Sequence, residues 1–160
     1  MQYWVKHWLG AFHLQKQPRQ RPIFIFSTRR SGSTLLMEMF YSQPGVTYCD
    51  QPLNRWRYHP YQRCLPQPYL GEWIQLAAHE EQALFAFFTK LLAGQIRVAA
   101  PWNWLHPHYN LCVNRLVLKE LNAHRLIDWF ANSFDADIVF LVRHPIPTAL
   151  SILQQHWGNV

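Results

Sequence analysis

The chain has 160 residues, 49% of them apolar and 15% charged, a balance that excludes a disordered segment and leaves room for one domain with its own core. Its formal net charge is +6 with the nine histidines counted as neutral, which suits an anionic ligand or an acidic acceptor. No dense Lys/Arg tract accompanies that charge, since Pro18-Arg19-Gln20-Arg21 is short, so nucleic acid is not an expected partner.

Residues 1–12 are aromatic but interrupted by Lys6 and His7. No apolar run approaches the ~20 residues of a membrane span, and the signal-peptide pattern is missing. The expectation is a chain with no membrane span and a cytoplasmic location. Cys49, Cys64 and Cys112 have no metal-ligand spacing and leave one over in any disulfide pairing, as thiols in a reducing compartment do.

Pro22-Ile23-Phe24-Ile25-Phe26-Ser27 is a short run rich in aromatic and β-branched residues and predicts a buried strand over 22–27. It breaks at Thr28-Arg29-Arg30-Ser31-Gly32-Ser33-Thr34, a polar, basic, glycine-containing turn, and resumes as the helix former Leu35-Leu36-Met37-Glu38-Met39-Phe40. Strand, tight turn and helix start aim backbone N–H groups and a helix N-terminus at an anion. Arg29 and Arg30 add fixed positive charge, and Ser31, Ser33 and Thr34 add hydroxyl donors. The nucleotide-triphosphate loop requires Gly, four residues, then Gly-Lys-Ser/Thr. In that register Ser27 stands at the first glycine and Ser33 in the lysine slot, which removes the main support for an ATPase or GTPase.

A second strand is expected near 46–48, followed by Asp50-Gln51-Pro52 and an irregular loop over 54–68. Residues 71–92 read as one or two helices with Trp73, Leu76, Leu84, Phe87, Phe88 and Leu91 as core, and 99–110 as a Pro/Trp/His loop containing Trp102 and Trp104. His106-Pro107-His108 offers half of a metal site that nothing nearby completes, so no metal is expected. Arg115-Leu116-Val117-Leu118-Lys119-Glu120 predicts a third strand, and 122–134 a helix with Leu126, Ile127, Trp129 and Phe130 on its apolar face. The last strand, over 137–142, ends in Arg143-His144-Pro145, and a helix over 148–156 carries Ser151 eight residues after Arg143. The planar fork of Arg suits phosphate, and a serine early in a helix adds a hydroxyl beside its N-terminal N–H groups.

Arg-Ser-Gly-Ser-Thr-Leu-Leu after an apolar strand resembles the sulfotransferase family, whose loop reads Lys/Arg-Ser-Gly-Thr/Ser-Thr. The resemblance carries Arg30, Ser31, Gly32, Ser33 and Thr34 over position by position, as residues that hold the 5′-phosphosulfate of 3′-phosphoadenosine 5′-phosphosulfate (PAPS). Family members end a later strand with Arg and place Ser eight positions on, and the pair binds the 3′-phosphate; Arg143 and Ser151 match that spacing. His144 stands where the family usually has Asp or Asn. Lys119 matches a strand-ending lysine near the sulfuryl group, which implies a charge-stabilising role. Cytosolic members carry a catalytic His two residues beyond that lysine, but Leu121 occupies the position here. Other branches use a carboxylate in a Glu-Pro context, where this chain has Gln51; Asp50 is the nearest carboxylate and the first candidate base, Glu120 the second.

The resemblance implies an α/β, three-layer α/β/α fold with a mainly parallel sheet, of P-loop NTPase-like type, in a single domain over 1–160. The motif-bearing part is 22–157, and the C-terminal part of the family domain is expected to be missing. It further implies sulfuryl transfer from PAPS, without a metal, to a small-molecule or carbohydrate acceptor with a hydroxyl or amine. Two alternatives stay open: a non-catalytic remnant that binds PAP (3′-phosphoadenosine 5′-phosphate) or PAPS, and a P-loop kinase-like protein. The shortened end predicts exposed Leu150, Ile152, Leu153 and Trp157 on the last helix, a face available for self-association.

Overall fold

The computed structural model describes residues 20–53, 76–96, 98, 107–121 and 123–157. The 54–68 loop, Trp73, Trp102, Trp104, Cys64 and His106 lie outside the described residues, as does the side chain of Trp157. In chain order the elements are β1 (Ile23–Ser27), α1 (Ser33–Tyr41), β2 (Val46–Asp50), α2 (Ala78–Leu92), β3 (Arg115–Glu120), a 3-10 turn (His124–Leu126) running into α3 (Ile127–Ser133), β4 (Asp137–Leu141) and α4 (Pro145–Trp157). The four strands form one sheet in the order β2-β3-β1-β4, with every pairing parallel. This is the α/β architecture expected from alternating strand and helix patterns.

Two differences from the expected elements bear on the site. β2 runs on past the expected 46–48 to Asp50, because Asp50 pairs in register with Lys119. α4 begins at Pro145, three residues before the expected start at Thr148. Proline is favoured in the first helical turn, where its missing N–H would have no intrahelical partner. The Thr148 N–H and hydroxyl both donate to the His144 carbonyl.

Strand alternation sorts the core into two layers. Phe24, Phe26, Leu116 and Leu118 face α2 and α3, where Leu84, Phe87, Phe88, Leu91 and Phe130 meet them. Ile23, Ile25 and Val117 face the other way, against Met37 and Leu36 of α1. β1 is central and wholly buried. β4 is an edge strand on which Phe140 is half exposed, and Leu150, Ile152 and Leu153 of α4 are exposed as the sequence leads one to expect.

Phe130 anchors the strand that carries the polar loop. Its ring centroid lies 5.4 Å from that of Phe24, 5.2 Å from Phe26 and 4.8 Å from Phe88, with Trp129 at 4.9 Å. Phe130→Ala is therefore expected to destabilise the domain by about 3–5 kcal/mol. Urea denaturation followed by tryptophan fluorescence measures this, and a loss below about 1 kcal/mol would show that β1 does not depend on this layer.

Candidate functional site

In a parallel sheet of this kind the functional crevice lies beyond the carboxyl ends of the strands. β1, β3 and β4 deliver their basic residues to that edge, and a cleft of about 550 Å³ opens there, lined by residues of the β1–α1 loop, by Gln51 and Leu121, and by Arg143 and Ser151. Of the eleven candidates read from the sequence, seven line this cleft: Arg29, Arg30, Gly32, Ser33, Thr34, Arg143 and Ser151.

The loop owes its shape to two left-handed residues. Gly32 has φ 92° and serves as N-cap of α1 without a side-chain cap. Arg30 has φ 61°, which costs a non-glycine residue roughly 1–2 kcal/mol. The first turn of α1 contains no acidic residue, so its N–H groups and the helix dipole are left to meet an anion. Ser27 and Ser31 are buried, and neither hydroxyl has a hydrogen-bond partner among the described residues.

Side chains from both loops meet across the cleft. Arg30 Nε donates to Ser151 Oγ at 2.8 Å, and an Arg143 guanidinium N–H donates to the Arg30 carbonyl at 3.3 Å. His144 Nδ1 accepts the Ile146 N–H at 3.3 Å. The imidazole thus accepts an N–H at the start of α4, as an Asp or Asn side chain does at a helix N-cap.

Behind the loop, Lys119 is almost wholly buried and holds two partners: its Nζ lies 2.8 Å from Asp50 Oδ1 and donates to Thr34 Oγ1 at 3.0 Å. Asp50 is therefore drawn beside the helix start rather than left on a loose loop. Glu120, the next residue of β3, points to the opposite face of the sheet, is fully buried, and accepts the Leu53 N–H at 2.7 Å. Burial pushes its carboxyl up to about 8; Asp50 reinforces the shift, and the backbone N–H groups of Leu53 and Leu121 and the charge of Lys119 oppose it.

The charges at the two ends of the sheet are handled differently. At the amino ends, Arg21 pairs with Asp135 at 2.9 Å, and Arg115 pairs with Asp137. At the carboxyl ends, no carboxylate among the described residues pairs with Arg29, Arg30 or Arg143. Three such cations, the hydroxyl-bearing Ser33 and Thr34 and an uncapped helix start line one cleft and make a donor set that fits a polyanion.

Sequence reasoning did not foresee that Gln51 and Leu121 reach the cleft. Gln51 has φ 53° and donates its N–H to the Lys119 carbonyl at 2.8 Å; nothing in Asp-Gln-Pro announces a left-handed glutamine. Among the described residues no group of three or more His, Cys, Asp or Glu side chains is placed to hold a metal ion, and no helix is long and apolar enough to cross a membrane.

Comparison with curated proteins and with solved structures returns no match. A family model described as the Sulfotransferase family matches residues 22–160 of the 160-residue chain. With that match over most of its length, on an all-parallel α/β sheet with a basic, glycine-containing loop at its carboxyl edge, the chain belongs to the sulfotransferase family.

Proposed function

We propose that the chain binds PAPS in the cleft between the β1–α1 loop and the start of α4, and transfers its sulfuryl group to a hydroxyl or amine of a small or carbohydrate acceptor. The observation that carries this reading is the convergence of Arg30, Arg143 and Ser151 across one cleft, with Lys119 and Thr34 joined at its base. PAPS supplies the sulfuryl group when bound. The N–H groups of the α1 first turn and the hydroxyls of Ser31, Ser33 and Thr34 hold the 5′ end, while Arg143 and Ser151 hold the 3′-phosphate. Arg29, Arg30 and Lys119 place positive charge where negative charge grows during transfer.

Asp50 is the carboxylate we assign as base. It stands at the end of β2 beside Gln51, and its Oδ1 is oriented by Lys119. In that place it takes the proton of the acceptor hydroxyl as that oxygen bonds to sulfur and the bond from sulfur to the 5′-phosphate oxygen breaks, PAP leaving with the electron pair. The non-catalytic alternative shares every nucleotide contact and differs only here. Asp50→Asn keeps an acceptor oxygen for Lys119, so PAP affinity is expected to stay within about threefold while transfer from PAPS is lost. Retained transfer in that variant would remove Asp50 from the chemistry.

Nucleotide choice is the sharper test. Each charge-assisted phosphate contact is worth about 1.5–3 kcal/mol, so calorimetric titration is expected to show PAP binding at least about tenfold tighter than ADP, a preference that Arg143→Ala abolishes. Equal affinities for the two nucleotides, unchanged by Arg143→Ala, would overturn the proposal.

A further inference from the structure

β3 ends in two charged residues that serve opposite faces of the sheet. Lys119 faces α1 and the cleft base, whereas Glu120 is fully buried in the layer shared with α2 and α3. A carboxyl in that place is expensive, because desolvation penalises its charge and an apolar side chain would pack as well. Oε1 accepts the Leu53 N–H at 2.7 Å, while Oε2 has no hydrogen-bond partner among the described residues. What the carboxyl supplies is one acceptor at one point of the chain.

That point is where the chain leaves β2 and crosses the end of β3. Asp50 lies on the α1 side, paired with Lys119. Gln51 turns left-handed and donates its N–H to the Lys119 carbonyl. Leu53 is fully buried in the layer on the other side, and its N–H ends the crossing on Glu120. The crossing is thus fastened to β3 at both ends, by a backbone bond at Gln51 and a side-chain bond at Leu53. Gln51, the strained residue at the first of these points, is the part of the crossing that lines the cleft. A left-handed non-glycine residue persists only where its surroundings over-determine it.

We infer that Glu120 is a positioning residue, whose buried carboxyl fastens the Leu53 N–H and thereby holds residues 50–53 with Gln51 in the cleft and Asp50 on Lys119. The neutral acid performs this task, since accepting the Leu53 N–H needs an acceptor oxygen and no negative charge. Asp50 on β2 and Lys119 on β3 are the charged groups that act on it, with opposite signs. The inference rests on the PAPS reading for its ligand, but the crossing itself is measurable without one.

The test compares the wild-type chain with Glu120→Gln, which keeps the acceptor oxygen and cannot ionise, and Glu120→Leu, which removes the acceptor and keeps an apolar fill. In Glu120→Leu the Leu53 amide is expected to exchange hydrogen about 100-fold faster relative to the Val117 and Leu118 amides of β3, and PAP to bind about tenfold more weakly. Glu120→Gln is expected to restore both to within about threefold, a rescue that a purely space-filling role would not show.

A pH series supplies a second readout should the leucine variant fail to fold. Glu120 holds its proton in the folded chain up to about 8 but releases it near 4.5 when unfolded. Stability from this group is therefore full below that window and falls as pH rises through it. The wild-type melting temperature should drop across the window relative to Glu120→Gln. Parallel pH curves for those two proteins, or a folded Glu120→Leu with wild-type Leu53 protection and PAP affinity, would overturn the inference. Failure of the wild type to bind PAP would instead overturn the nucleotide reading, while the exchange comparison still decides the role of Glu120.

Discussion

Lys119 Nζ lies 2.8 Å from Asp50 Oδ1 and 3.0 Å from Thr34 Oγ1, with almost none of the side chain exposed. An ammonium that deep has lost its water and must be compensated where it sits. Its two partners come from different elements, the end of β2 and the first turn of α1. One cation on β3 therefore fixes the carboxyl end of the sheet against the helix that follows the loop. Removing one partner of such a pair typically costs about 3–5 kcal/mol, so the sheet edge and the helix start cannot drift apart cheaply. The cleft inherits its floor from that constraint.

Above the floor, the site stores electrostatic and conformational strain. Arg29, Arg30 and Arg143 share the cleft without a carboxylate partner among the described residues, and Arg30 and Gln51 both adopt left-handed backbone. Such features cluster at binding sites because a ligand repays them. Arg30 spans from the first loop to Ser151, and Arg143 returns from the second loop to the Arg30 carbonyl. The two loops are thus joined across the cleft by two hydrogen bonds.

Most of the frame could be read from residue patterns. Short apolar runs rich in β-branched, aromatic and leucine residues marked β1, β3 and β4, and helical periodicity marked the packing faces of α2 and α3. The loop residues were legible because a strand, a glycine turn and a helix start have a fixed geometric meaning, so Arg30, Gly32 and Thr34 had to fall at the sheet edge. What stayed hidden depends on contacts between distant segments. No local pattern says that Asp50 pairs with Lys119, that Glu120 turns away from it to hold Leu53, or that Gln51 is left-handed. His144 was a gap in the motif on paper, whereas in three dimensions its ring nitrogen caps α4. Pairings of this kind are set by strand register, which a single strand does not encode.

The central claim is that this cleft is built for a nucleotide bearing phosphates at both ends of its ribose. A crystal structure of the chain with PAP bound tests it most directly. The account predicts the 3′-phosphate within hydrogen-bonding distance of Arg143 and Ser151, and the 5′-phosphate against the α1 N-terminus beside Thr34. A 3′-phosphate turned to solvent, or a nucleotide bound away from the carboxyl edge of the sheet, would contradict it.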